Sequence, residues 1–204
     1  MLSQKTFHTL QAVVSYPQLI FMPRKIEYID DDKAPLKRLL TLRVPSLLCG
    51  LVLGIFLSIV TSKFETVLAS NVALAFFIPF IVYLADAVGT QTQTIYVRDL
   101  KTGKADFKKY LFKESLLGVV IGGGFAAVTW AIVAYWFNSI PLACAIALSV
   151  FGAVATAPLI ALVIAEILEL EREDPAVWSG PLATVVQDVV SMVIFGAIAS
   201  AILL

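Results

Sequence analysis

Apolar residues fall in five long, nearly unbroken blocks, at 44–62, 68–90, 116–137, 141–168 and 176–204. Neither the period of two expected of a strand nor the single apolar stripe of a surface helix organises them. An α-helix crosses the hydrocarbon core of a bilayer with about 20 mostly apolar residues, because its backbone groups are satisfied internally. The pattern therefore predicts an all-α integral membrane protein with five transmembrane helices. Residues 1–35 are mixed in character and read as an aqueous leader or juxtamembrane segment, with 36–204 as the five-helix domain. Within the leader the run Leu10–Met22 is apolar but short, and Ser15, Tyr16, Pro17 and Gln18 interrupt it. It lacks a small-residue cleavage site and reads as an interfacial helix rather than a signal peptide.

Composition agrees with a bilayer as solvent: 59% of the 204 residues are hydrophobic and 15% charged, with a mean hydropathy of +0.90. Soluble domains carry about 25% charged residues. The 15 basic and 15 acidic side chains cancel, which leaves no basic footprint for nucleic acid. Their placement is more informative than their sum. Lys5, Arg24, Lys25, Lys33, Lys37, Arg38 and Arg43 precede the first block, and Arg98, Lys101, Lys104, Lys108, Lys109 and Lys113 lie between the second and third. Arg172 lies between the fourth and fifth, so that fourteen of fifteen cations share one side and only Lys63 takes the other. The positive-inside rule then puts the N-terminus in the cytoplasm and the C-terminus outside, in the inner cell membrane.

Most acidic residues sit in aqueous segments, Glu114 and the run from Glu166 to Asp174 among them, but two interrupt the apolar blocks. Asp86 lies twelve residues up its helix from Arg98, roughly 18 Å, and Asp188 lies fourteen residues up from Asp174, roughly 21 Å, at 1.5 Å per residue. Both reach the middle of the membrane, where an ionised carboxylate costs at least about 2.5–3.5 kcal/mol. No Lys, Arg or His lies at that depth in any block. Each acid is therefore either protonated and hydrogen-bonded between helices, or balanced by a cation from solution. Their neighbours favour the cation. Asp86, Thr90, Gln93 and Thr94 fall on one helical face, as do Thr184, Asp188 and Ser191, with Gln187 beside them. All these ligands are oxygens, which suits hard ions and not Zn²⁺ or Cu⁺. So few ligands per chain favour Mg²⁺, which keeps several waters, over Ca²⁺, which takes six to eight oxygens. One Asp188 from each of two symmetry-related chains would suit a hydrated Mg²⁺ on a two-fold axis.

Other features have ordinary readings. Gly50-x-x-x-Gly54 and Gly118-x-x-x-Gly122, followed by Gly123 and Gly124, permit close helix packing, with a hinge at the triplet as the alternative. Pro79, Pro158 and Pro181 should bend or locally open their helices. Cys49 and Cys144 are placed at opposite membrane faces, out of reach of each other. His8 reads as a surface residue and Asp30-Asp31-Asp32 as a solvated acidic turn.

Several segments together resemble the membrane domain of the MgtE-type magnesium channels and transporters. They are Arg43-Val-Pro45-Ser-Leu-Leu, Phe64-Glu65-Thr, Phe77-Ile-Pro79, the run Val88-Gly89-Thr90-Gln91-Thr92-Gln93-Thr94 with Val97-Arg98 behind it, and Asp174-Pro175-Ala176-Val177-Trp178-Ser179-Gly180-Pro181 leading to Thr184 and Asp188. The resemblance covers about 36–204. It implies a homodimeric five-helix pathway lined by the second and fifth spans, with Mg²⁺ as transported ion and pore ligand. The ion would be held, largely hydrated, by Asp188 of both subunits, flanked by Thr184 and Ser191. Three departures stand out. Leu84-Ala85-Asp86-Ala87 replaces the family's Gly-Gly-Asn-type element, adding a carboxylate that could serve a second site. Glu169, Glu171 and Glu173 make the approach to the fifth span acidic. The thirty-five residues before the first span are too few for the family's cytoplasmic N-domain and paired CBS modules, so gating is expected to be absent, different, or supplied by a separate regulatory subunit.

Two other readings compete with divalent-cation transport. One is proton- or Na⁺-coupled exchange with Asp86 or Asp188 as carrier, and the other is a non-transporting membrane scaffold subunit in which both acids are structural. An intramembrane enzyme is not expected, for want of a His, a zinc set or a Ser–Lys pairing at depth.

Overall fold

The computed structural model of the chain describes residues 32–170 and 175–204. The expected interfacial helix at Leu10–Met22, His8, Asp30, Asp31, Arg172 and the acids Glu171, Glu173 and Asp174 lie outside the described residues. Among the described residues there are six helices: α1 (Leu36–Ser62), α2 (Glu65–Ser70), α3 (Ala73–Lys101), α4 (Phe107–Phe137), α5 (Ile140–Leu170) and α6 (Pro175–Leu203). All but α2 contain a stretch long and apolar enough to cross a membrane, so the chain is a multi-pass, all-α membrane protein.

The helices outrun the apolar blocks because their polar ends extend beyond the apolar stretches. α3 starts later than the second block predicts: residues 68–70 belong to α2, and the extended backbone of Asn71 (φ −145°) separates the two. The Asn71 side chain then accepts from the backbone N–H of Ala73 at 3.2 Å and helps start α3. α4 opens on Asp106, whose carboxylate accepts from the N–H of Lys109 at 3.2 Å. That backbone bond, with the Lys109 ammonium 3.2 Å away, holds the Asp106 carboxyl below the usual range. α4 closes on Asn138 at φ 48°, the left-handed conformation that Asn tolerates better than other side chains with a Cβ. Pro45, Pro79, Pro158 and Pro181 all sit inside helices whose assignment continues through them.

The central helix is α5, which packs against α3, α4 and α6. Small residues make this possible. Its alanines 143, 153, 157, 161 and 165 are buried, and Gly118 and Gly122 of α4 bring that helix onto its backbone. A Cβ at Gly118 would stand 2.9 Å from the Ala155 carbonyl oxygen, and one at Gly122 would stand 3.1 Å from that of Phe151. Gly123 and Gly124 face open space, so the triplet packs through one member only. The first-span pair differs from expectation: Gly50 touches Pro181 loosely and Gly54 meets nothing within 4 Å. α1 lies chiefly against α6 and leaves Leu47, Leu48, Leu51, Val52, Ile55, Phe56 and Ile59 exposed. Cys49 and Cys144 are both free thiols.

Candidate ion site

The two carboxylates within the apolar spans come from α3 and α6, and the structure places them in two cavities. The first is a narrow cleft of about 10 Å³ between α3, α5 and α6, with Asp86, Thr90 and Gln93 on one wall and Gln187 on another. This is the face that i, i+4 and i+7 spacing predicts on α3. Thr94, expected on the same stripe, is exposed and does not line the cleft. Its remaining walls are Gly89, Ala157, Ala161 and Ala183, whose lack of bulk creates the space. Thr184 joins the two polar helices by donating its hydroxyl proton to Asp86 Oδ1 at 3.1 Å. Gln187, only 3% exposed, donates its amide to the Ala153 carbonyl at 3.4 Å and to Ser191 Oγ at 3.1 Å. Its carbonyl oxygen, Oε1, has no hydrogen-bond partner.

Asp188 does not share that cleft. It lines a cavity of about 440 Å³ between α1, α3 and α6, with Ser58 and Thr61 from α1, Ile78, Pro79 and Val82 from α3, and Met192 from its own helix. Ser58 and Thr61 donate to the carbonyls of Gly54 and Leu57 in their own helix, which leaves oxygen lone pairs directed elsewhere. Asp188 Oδ1 is buried and accepts no hydrogen bond among the described residues. Ser191, one turn further on, is fully buried and occupied with Gln187. Among the described residues no three His, Cys, Asp or Glu side chains converge. Each of the two cavities offers a cation one carboxylate with neutral oxygens around it.

Sequence reasoning placed α3 and α6 at the site and missed two contributors. α5 forms the floor of the Asp86 cleft through its alanines, and α1 brings two hydroxyls to Asp188. The only signals were the alanine content of α5 and the i, i+3 spacing of Ser58 and Thr61, and both are common in packed membrane helices. Two acids read as solvated, Glu114 and Glu166, also turn inward. Thr92 donates to Glu114 at 2.7 Å and Tyr96 to Glu166 at 2.5 Å, tying α3 to α4 and to α5. A hydroxyl bond to an ionised carboxylate is stronger than one between neutral groups, so these pairs fix the helix that carries Asp86.

Known proteins match this chain in sequence. Residues 78–198, more than half of the chain, match the sequence profile of the MgtE family, described as a divalent cation transporter. The magnesium transporter MgtE of Bacillus subtilis is 30% identical over 162 residues, covering 78% of this chain and 36% of that protein. That of Enterococcus faecalis is 32% identical over 161 residues, with 78% and 36% covered, and that of Thermus thermophilus is 27% identical over 162, with 77% and 35% covered. The chain thus spans little more than a third of the length of these curated relatives. The match runs through α3, α4, α5 and nearly all of α6, and so includes both carboxylates. The chain belongs to the MgtE family of divalent cation transporters.

Proposed function

We propose that this chain carries divalent cations, Mg²⁺ above all, across the inner cell membrane, with residues 36–204 as the transport unit. The observation that carries the reading is the Asp188 carboxylate, with one oxygen buried and unpartnered beside a cavity of about 440 Å³ at membrane depth. Mg²⁺ gives up its waters reluctantly, and a water occupies about 30 Å³, so an ion with six waters needs roughly 200 Å³. The cavity is large enough for that. A carboxyl serving only as interhelical glue would use both oxygens on neighbouring helices, and Asp188 does not.

In this reading two chains form a homodimer and each supplies one Asp188, so that two negative charges balance one divalent ion. α3 and α6 line the path, with Thr184 and Ser191 as its oxygen-bearing positions on the helix of Asp188, while Asp86, Thr90 and Gln93 put a second carboxylate and its neutral oxygens in the narrower cleft beside it. Lysine and arginine placement supports a cytoplasmic N-terminus and an external C-terminus. The magnesium transporters of B. subtilis and E. faecalis support the choice of ion. The test is Mg²⁺ uptake into vesicles reconstituted with the purified chain. Asp188→Ala should reduce uptake to the level of empty vesicles while crosslinking still reports a dimer. Wild-type uptake by a dimeric Asp188→Ala protein would refute the assignment.

A further inference from the structure

The Asp86 cleft differs from the Asp188 cavity in size and donor set, and those differences specify a different ion. We propose that Asp86 and Gln187 form, within a single protomer, a binding site for one dehydrated monovalent cation, with sodium as the ion. The inference deepens the transport reading and rests on it for its role in the molecule.

Three observations carry it. The first is the orphaned Gln187 Oε1. Its amide nitrogen donates to the Ala153 carbonyl, which can only accept, so the amide cannot be turned to exchange oxygen for nitrogen. A buried acceptor is thereby left facing no protein donor, on a residue that lines the cleft. The second is charge. Among the described residues Asp86 is the only ionisable side chain lining the cleft, and the oxygens of Thr90 and Gln187 beside it are neutral. One positive charge neutralises the site, whereas a divalent ion would leave a net charge in a medium that penalises it heavily. The third is space. About 10 Å³ holds a single water-sized particle, so Mg²⁺ with its shell of retained waters does not fit.

Thr184 completes the arrangement. Its hydroxyl engages one Asp86 oxygen, leaving the other oxygen for the ion. Thr184 and Gln187 both lie within about one turn of Asp188 on α6. A sodium ion shared by Asp86 and Gln187 therefore fastens α3 to α6 next to the divalent-ion carboxylate, and the two ions become thermodynamically linked.

The test is thermal unfolding of the purified full chain in lipid nanodiscs, in sodium chloride or N-methyl-D-glucamine chloride at equal ionic strength, with EDTA present. Sodium at about 100 times its Kd should raise Tm by roughly 5–10 °C. Asp86→Asn should lose that increment and Asp188→Asn should keep it. Equal Tm in the two salts for the wild type would overturn the proposal, as expected if water alone fills the cleft. So would a sodium increment that survives Asp86→Asn, or an Asp86-dependent increment produced by Mg²⁺ without sodium. Should Asp86→Asn fail to fold, sodium NMR line broadening by Gln187→Leu replaces it: broadening should fall to that of protein-free discs, and undiminished broadening refutes the site. Since the sodium increment is read without Mg²⁺, absent Mg²⁺ flux would refute the transport reading and leave this one standing.

Discussion

Thr92 and Tyr96 sit one turn apart on α3 and donate to carboxylates on two different helices, Glu114 on α4 and Glu166 on α5. Each bond crosses between helices, so losing one leaves a half-buried carboxylate short of a donor rather than merely freeing a hydroxyl. Tyr96→Phe keeps the ring contacts with Phe107 and Tyr110 and removes only the donor. It should lower unfolding stability by about 1–3 kcal/mol. Thermal unfolding in detergent reads this, and an unchanged Tm would show that Glu166 finds water instead. At this scale the sequence was readable where a residue type was expensive. Asp86 and Asp188 declared themselves because a carboxylate in an apolar block has few cheap explanations. Ser58 and Thr61 did not, because neutral polar residues are inexpensive in a membrane helix and their direction depends on which helices pack beside them. Glu166 misled for a related reason: near the end of a helix, an acid that faces water and one that faces a neighbouring tyrosine have the same sequence context.

At the scale of elements, the contact between α4 and α5 is set by two glycines whose neighbours are backbone atoms. Backbone cannot step aside as a flexible side chain can. Gly118→Val should therefore cost about 1–3 kcal/mol through overpacking, while Gly123→Val, which meets open space, should change stability little. Comparing the two Tm values in one detergent checks this, and equal losses would mean that the substitutions act through helix propensity and not through packing. Helix number and type were legible because apolar blocks of this length have one stable solution in lipid. The break at Asn71 was not. A single extended residue inside a continuous apolar run has no compositional mark, and it converted the start of the second block into α2. The glycine pattern showed the same limit, since Gly118-x-x-x-Gly122 packs closely and Gly50-x-x-x-Gly54 does not, although the two spacings are identical.

At the scale of the whole molecule, charge sorting is the most economical feature. Fourteen of fifteen cations belong to one side by sequence, which puts Lys63 and Lys104 on opposite faces of the membrane. In a background with Cys49 and Cys144 replaced by Ser, Lys104→Cys should react with a membrane-impermeant maleimide only after the membrane is opened, and Lys63→Cys should react in intact cells. The reverse pattern would invert the topology. The arrangement of helices also determines how firmly each cavity is enclosed. The Asp86 cleft is walled by α3, α5 and α6, which pack on one another around the central helix. The Asp188 cavity has α1 as one wall, and α1 is held chiefly by α6. The molecule thus joins a stiff compartment to a compliant one along a single helix. A sideways shift of α1 alone would change how much water surrounds Asp188 without disturbing the packing around Asp86, so the hydration of the larger chamber is an adjustable quantity set by one helix–helix contact.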